Sequence, residues 1–420
     1  MPLWDSGPGC ILWVGIDAMR QRCIACSSPA TSATVSVRHI PIRCNVLWET
    51  REQAVAAPRG DVELYFCRAC GHLYNAAFDP QLMEYTADYE NSLHYSPRFQ
   101  RYASSVVERL IERYDIRGRR VVDLGCGKGE FLRLLCVRGD NQGLGFDPSY
   151  TYDRDEGDST NVSFIKDYYP GEYGHLETDL ICCRHVLEHL PEPAGFLAEL
   201  RANPGVTYRT VLYFEVPNGL FTVRDMGIWD LIYEHVSYFT PESLRSIFEQ
   251  AGFEVLNLDE DFGGQYLYVE ARPATSPEEA ANGWVSSSLD ALVSDFAHRY
   301  ETCVSQWREY LARAARERRR CLLWGAGSKG VTFANIAGQA DAFAAIVDIN
   351  PHKQGLYVPG TGTPVVGVEQ LGELAPDEIL VMNPLYLNEV RRLMKEQEVS
   401  AAPTPVLSRL CQKTLRPGQS

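Results

Sequence analysis

The chain has no apolar run approaching the roughly 20 residues that span a bilayer, and it has no basic excess. Its 40 Lys and Arg stand against 55 Asp and Glu, a net charge of −15 over 420 residues. A nucleic-acid groove or an anionic membrane surface wants basic patches, so the balance argues against both and for a small-molecule substrate. Ile11 to Ile16 is a short apolar stretch with no basic region before it, which argues against a secretory signal and for a cytoplasmic protein. The 13 cysteines are an odd number and include a Cys182-Cys183 pair inside a predicted strand. Reduced buried thiols suit them better than a disulfide framework. Residues 1–18 fit no later element; they read as a tail, or as sequence preceding a start at Met19. What remains, with 45% hydrophobic residues, is a globular chain of two or three domains, expected as a monomer or homodimer.

Arg119 to Glu130, RRVVDLGCGKGE, reads as strand, tight loop and helix start. Val121 and Val122 lead to Asp123; Gly125, Gly127 and Gly129 form the turn, and Phe131, Leu132, Leu134 and Leu135 resume at helical spacing. Glycine here lets the backbone bend sharply and lets a ligand lie against it. The spacing is D-x-G-x-G-x-G rather than the G-x-G-x-x-G of dinucleotide sites. The next strand, Gly143 to Phe146, ends on Asp147, where a carboxylate can accept from both ribose hydroxyls. Together these features resemble the first motif of class I S-adenosylmethionine-dependent methyltransferases. The resemblance implies S-adenosyl-L-methionine as cofactor, and an acid for the adenine amino group after the following strand, Val162 to Ile165, which makes Asp167 the candidate. Asp179 to Cys183 is a further buried strand, and the run Arg184-His185-Val186-Leu187-Glu188-His189-Leu190 after it is similar to the fourth-strand motif of that superfamily. Arg184 and His185 fall at the strand's C-terminal edge, where open α/β sheets bind ligands, whereas His189 reads as a packed helix residue. Thr210 to Val216 and an edge-type strand, Gln265 to Glu270, complete a doubly wound Rossmann-like α/β domain over residues 81–272.

Two C-x-x-C knuckles, Cys23 with Cys26 and Cys67 with Cys70, offer four thiolates for a tetrahedral Zn2+ that would staple a small module over residues 19–80. Cys44 and His72 are substitute ligands on the same reading. A tyrosine-rich passage follows and bridges to the central domain; its tyrosines read as packing an interdomain seam or, with Tyr89 and Ser92, as covering the cofactor or touching the substrate. Residues 273–319 read as a linker and long helix. Residues 320–420 form a smaller Rossmann-like domain of about four strands, opened by Gly325-Ala326-Gly327-Ser328-Lys329-Gly330 and continued by Asn350-Pro351-His352-Lys353-Gln354-Gly355. Lys329 and the loop amides there suit a substrate phosphate.

Between the central strands lies Ile228-Trp229-Asp230-Leu231-Ile232-Tyr233-Glu234-His235-Val236-Ser237-Tyr238-Phe239. A histidine among aromatic walls can take a proton made acidic by a neighbouring carbonyl while water is kept out. The order of zinc module, methyltransferase core and G-A-G-x-K-G unit resembles the deoxysugar C-methyltransferases, which methylate a ring carbon of nucleotide-linked keto-sugars. That resemblance implies His235 as the base that forms an enolate, Glu234 assisting it, and Tyr89 lining the site; Tyr233, beside them in this sequence, is a further candidate. The usual Y-H-E-H run is replaced here by Ile232-Tyr233-Glu234-His235. Methylation of oxygen or nitrogen in a natural-product intermediate is the alternative reading, and a binding subunit without turnover is a third.

Overall fold

The computed structural model describes residues 22–83, 92–151, 161–169, 173–275, 285–338 and 341–409. The expectations for residues 1–18 and for Tyr89 lie outside them. Three sheets organise the chain. The first begins with β1 (Thr31–Pro41), β2 (Arg59–Cys67) and β3 (Leu73–Asn75), paired antiparallel in that order.

The central sheet takes β4 (Arg120–Leu124), β5 (Gln142–Phe146), β6 (Val162–Ile165), β7 (Leu180–Arg184) and β8 (Val211–Pro217), all parallel. The chain then returns to the first sheet. β9 (Ser237–Tyr238) pairs antiparallel with β3, Leu73 opposite Tyr238 and Tyr74 opposite Ser237. β10 (Phe253–Asp261) and β11 (Tyr266–Pro273) close the central sheet in the order β10-β11-β8-β7-β4-β5-β6. The strand expected at the edge, β11, is therefore internal, flanked by β8 and β10. Its alternation of charged and apolar residues misled that reading: Glu270 is buried and takes hydrogen bonds from Arg113 and Tyr114 of the preceding helix, Pro97–Tyr114. Ser96 caps that helix, accepting the Phe99 amide, and Pro97 occupies its first position.

A 30-residue helix, Ser287–Arg316, follows. Its apolar positions Val293, Phe296, Tyr300, Val304, Trp307 and Leu311 recur at spacings of three and four and face one core shared with Val62 of β2, Trp229 and Phe333. Phe333 meets both Trp229 and Trp307 edge-on, at 4.7 and 5.1 Å between centroids. Truncating any of these rings costs about 3–5 kcal/mol. β12 (Cys321–Trp324), β13 (Ala345–Val347), β14 (Val365–Val366), β15 (Glu378–Val381) and β16 (Pro403–Pro405) form the third sheet, parallel, in the order β14-β13-β12-β15-β16. It has five strands where about four were expected; the last, Pro403–Pro405, has two prolines and little strand signal. Cys182 and Cys183 are buried free thiols, as expected. Among the described residues no helix is long and apolar enough to cross a membrane.

Candidate active site

The loop after β4 is braced from β5. Gly127 donates its amide to Asp147 Oδ2 at 2.8 Å, and Asp147 Oδ1 accepts from the amide and hydroxyl of Ser149 at 2.8 and 2.6 Å. Gly125 and Gly129 have φ of 66° and 84°, and a Cβ on either would strike Val186 or Phe164 at 2.2 or 2.4 Å. At Gly127 a Cβ would meet nothing within 4 Å, so the loop keeps an open face for a ligand. These are the features an adenosyl and amino-acid ligand needs, and the residues fit S-adenosylmethionine. Asp123 lies under the loop; burial raises its carboxyl to about 7 against the pull of Arg184. Ser92 donates to Glu130 Oε1 at 2.9 Å, at the start of the helix that follows the loop. Asp167 is exposed beyond β6, with its Oδ1 accepting the Tyr168 amide.

Val186, against Gly125, leads into an ionised cluster at the end of β7. Arg184 is held by Glu215 of β8 through Nε and Nη2, at 3.2 and 2.9 Å, and its guanidinium lies 4.2 Å over the Phe131 ring. Glu215 also accepts from the hydroxyls of Tyr213 and Tyr102. Burial opposes its ionisation, yet Arg184 and His185 hold its carboxyl well below the usual carboxylate range. His185 sits at φ 55°, an uncommon backbone for a non-glycine, and its amide donates to the Glu215 carbonyl at 2.8 Å. Burial alone would depress its imidazole; Glu188 and Glu215 instead push it up to about 9. Arg184 and His185 thus bind within the protein, beside the loop.

His235 reaches this cluster from the segment before β9. Its ring is 5.0 Å from His189, whose Nδ1 lies 2.9 Å from the Glu234 carbonyl oxygen. Burial first, then His189, Lys329 and His185, lower the His235 pKa well below the ordinary histidine value. Its Nδ1 is buried with no hydrogen-bond partner. Glu234 turns the other way: its Oε1 accepts the Cys44 amide at 2.5 Å, in the N-terminal module. Tyr233 is also directed there, its hydroxyl accepting the Asp79 amide at 2.9 Å and its ring packed on Phe78. His189, read as a packed helix residue, is at the site. The signal available for it was its place just beyond the β7 edge, four residues from His185.

The four knuckle thiols converge, with Sγ–Sγ distances of 3.6 Å for Cys23–Cys70 and 3.7 Å for Cys26–Cys67. Tetrahedral Zn2+ with Zn–S of about 2.3 Å requires sulfurs about 3.8 Å apart, so these four residues fit the ion. Cys44 is distant in role, bonded toward Thr332, and His72 Nε2 lies 3.2 Å from Ser237 Oγ; neither belongs to the thiol group. The second knuckle is tied to the segment carrying His235: Thr240 donates its hydroxyl to the Gly71 carbonyl, and Asn75 its amide to the Val236 carbonyl.

A cavity of about 210 Å³ opens between the C-terminal glycine loop and the central sheet. Gly327, Lys329, Lys353 and Asn350 line one side, Ser92 and Tyr266 the other. Lys329 Nζ pairs with Asp230 Oδ1 at 2.6 Å, five residues before His235. Lys353, 5% exposed, donates to the Ala326 carbonyl at 3.2 Å. Tyr266 also stands edge-on to His185 at 4.5 Å, so the cavity adjoins the cluster.

Two family models match this arrangement: a methyltransferase domain over residues 95–258 and a C-methyltransferase C-terminal domain over residues 277–402. With the braced loop of the central sheet they define the chain as an S-adenosylmethionine-dependent methyltransferase. The C-methyltransferase NovU of Streptomyces niveus is 25% identical over 308 residues, covering 68% of this chain and 71% of that protein. More particularly, then, the chain is similar to C-methyltransferases across its central and C-terminal units. Among solved structures, magnesium protoporphyrin IX methyltransferase of Synechocystis PCC 6803 matches 42% of this chain and 84% of its own, at 19% identity and a TM-score of 0.32. The 1,6-didemethyltoxoflavin-N1-methyltransferase of Burkholderia thailandensis matches 41% and 78%, at 15% identity and a TM-score of 0.32.

Proposed function

We propose that the enzyme methylates a ring carbon of a nucleotide-linked keto-sugar, with His235 as the base. The observation that carries this reading is the cavity shared by the C-terminal glycine loop and the central sheet. Lys353 is a buried ammonium with three donors, one used on Ala326, and it stands with Lys329 beside the glycine loop; such a group suits the diphosphate of a nucleotide. Tyr266 and Ser92 carry the opposite wall toward His185 and Glu130, so the sugar end of such a molecule points at the β7 cluster.

S-adenosylmethionine supplies an electrophilic methyl group when bound against Gly125, Gly127 and Asp147. His235 is held neutral by its burial and its cationic neighbours, so its Nδ1 lone pair is free to accept the proton from the carbon beside the ketone. The electron pair left on the substrate makes it an enolate, whose carbon is the nucleophile that the sulfonium methyl would meet, its bond to sulfur breaking and the thioether leaving. Trp229, Tyr233 and Phe239, all fully buried, keep water from the segment that presents the base. Asp147 braces the loop above the buried Asp123; Arg184 and His185 hold the end of β7. Ser92 orients Glu130. Cys23, Cys26, Cys67 and Cys70 would hold a structural Zn2+, which would staple the module to which His235's segment is paired.

The test is incubation with labelled cofactor and a panel of nucleotide-linked keto-sugars, locating the label on carbon or heteroatom. Solvent deuterium should enter beside the ketone and be lost at least a hundredfold in His235→Ala. Turnover with no such exchange, and label on oxygen or nitrogen, would put heteroatom methylation in its place.

A further inference from the structure

Glu188 is 1% exposed on the short turn Leu187–His189 after β7. Neither of its carboxylate oxygens has a hydrogen-bond partner. Three imidazoles surround it: His185 Nδ1 at 3.5 Å, His189 Nε2 at 4.0 Å, and His235, with a ring nitrogen within 4.8 Å. The arrangement is rigid, since the Glu188 carbonyl accepts the Val236 amide at 2.8 Å and so locks the turn to the residue after His235. Buried carboxylates are normally fully hydrogen-bonded, because burying an unmatched charge is costly. His185 faces one of these oxygens at 3.5 Å, and a proton on His235 would give Glu188 a second cationic neighbour within reach.

We infer that Glu188, and not the neighbouring Glu234, is the carboxylate that compensates the charge on His235 during catalysis. The inference rests on the reading of His235 as base. In the step it serves, the substrate C–H bond breaks, the electron pair stays on the substrate, and the proton binds His235 Nδ1. Glu188 forms no bond; it stabilises the imidazolium until the proton passes to solvent after product leaves. It is a positioning residue.

The groups that share this space set the sign. His185 and His189 face Glu188 from its own turn, Arg184 and Glu215 from β7 and β8, and Cys183 from beneath. Lys329, Asp230 and Tyr238 stand around His235. The resting cluster of Arg184, His185, Glu188 and Glu215 is balanced, so a proton on His235 adds a net positive charge whose close open anion is Glu188. Glu234 directs its Oε1 to the Cys44 amide in the N-terminal module.

The experiment follows the His235 imidazole by NMR in histidine-labelled full-length protein, alongside the pH profile of substrate deuterium exchange. In Glu188→Gln the His235 midpoint and the acid limb of the profile should both move to lower pH, by about one to three units. The maximal exchange rate should fall at least tenfold with KM unchanged, and Glu188→Asp should recover part of it. Glu234→Gln should leave the His235 midpoint in place while lowering Tm. An unmoved midpoint and rate in a Glu188→Gln protein of wild-type Tm would overturn the inference. So would Co2+ spectra showing a second bound ion that is lost with Glu188, because His235 would then be a ligand. Absence of exchange by the wild type with every keto-sugar would instead sink the base reading, while the NMR midpoints still judge Glu188.

Discussion

In the central unit Asp147 Oδ2 accepts the Gly127 amide and its Oδ1 the Ser149 amide, both at 2.8 Å; in the C-terminal unit Asp348 Oδ2 accepts the Ala326 amide and its Oδ1 the Asn350 amide, again both at 2.8 Å. Two copies of one device, an acid at the end of the second strand bracing the glycine turn after the first, stand on separate sheets. Their surroundings differ. The central loop faces Asp123 and the cluster of Arg184, His185, Glu188 and Glu215, whereas the C-terminal loop stands with Lys329 and Lys353 on one wall of a cavity. The brace sets the shape of the turn, and the neighbours decide which charge it can receive.

The sharpest way to break that comparison is to remove each brace in turn. Asp147→Ala should weaken binding of S-adenosylhomocysteine about a hundredfold by calorimetry, because hydrogen bonds to an ionised carboxylate contribute about 1.5–3 kcal/mol. Asp348→Ala should leave that affinity unchanged; equal losses would show that the loops do not divide the ligands between them.

A smaller effect comes from ionisation. His185 is pushed up to about 9 from an unfolded value near 6.5. Its contribution to stability is therefore complete below about pH 6.5 and is lost as pH rises through about 9. Unfolding free energy should fall by at most about 3 kcal/mol across that window, less where solvent screens a ring 28% exposed, and His185→Gln should flatten the slope. The C-terminal loop has no histidine in the corresponding place after β15, where Met382 and Asn383 follow the strand.

The smallest contrast concerns the middle glycine of each turn. A Cβ placed on Gly127 or on Gly327 would have no atom within 4 Å, but Gly127 has φ 56° and Gly327 φ −91°. Gly127→Ala should cost about 1 kcal/mol and Gly327→Ala less than about 0.5 kcal/mol in denaturant unfolding.

Much of this was readable from local sequence. The strand–glycine–helix pattern at 119–135, the knuckles and the capped helix at Ser96 each depend on residues a few positions apart, and each occurs where expected. What could not be read depends on partners far along the chain. Tyr233 follows the N-terminal module because Gly60, lacking a side chain, leaves room for its ring; a Cβ there would lie 2.4 Å from it. Glu234 finds Cys44, 190 residues away. β9 is two residues long, too short to carry a periodic signal, and it exists because β3 offers it an edge. His189 and Glu188 acquire meaning only when His235 is folded against them.

That two-residue strand means that the central unit is not a cassette. Leu73 and Tyr74 supply the edge against which the segment carrying His235 is laid, so cutting the chain after the first sheet, or exchanging that sheet for one from a homologue, would unlace His235 from the central unit while leaving the glycine loop after β4 whole. Chimeras of enzymes built this way should keep the first sheet and the Ile228–Phe239 segment from one parent.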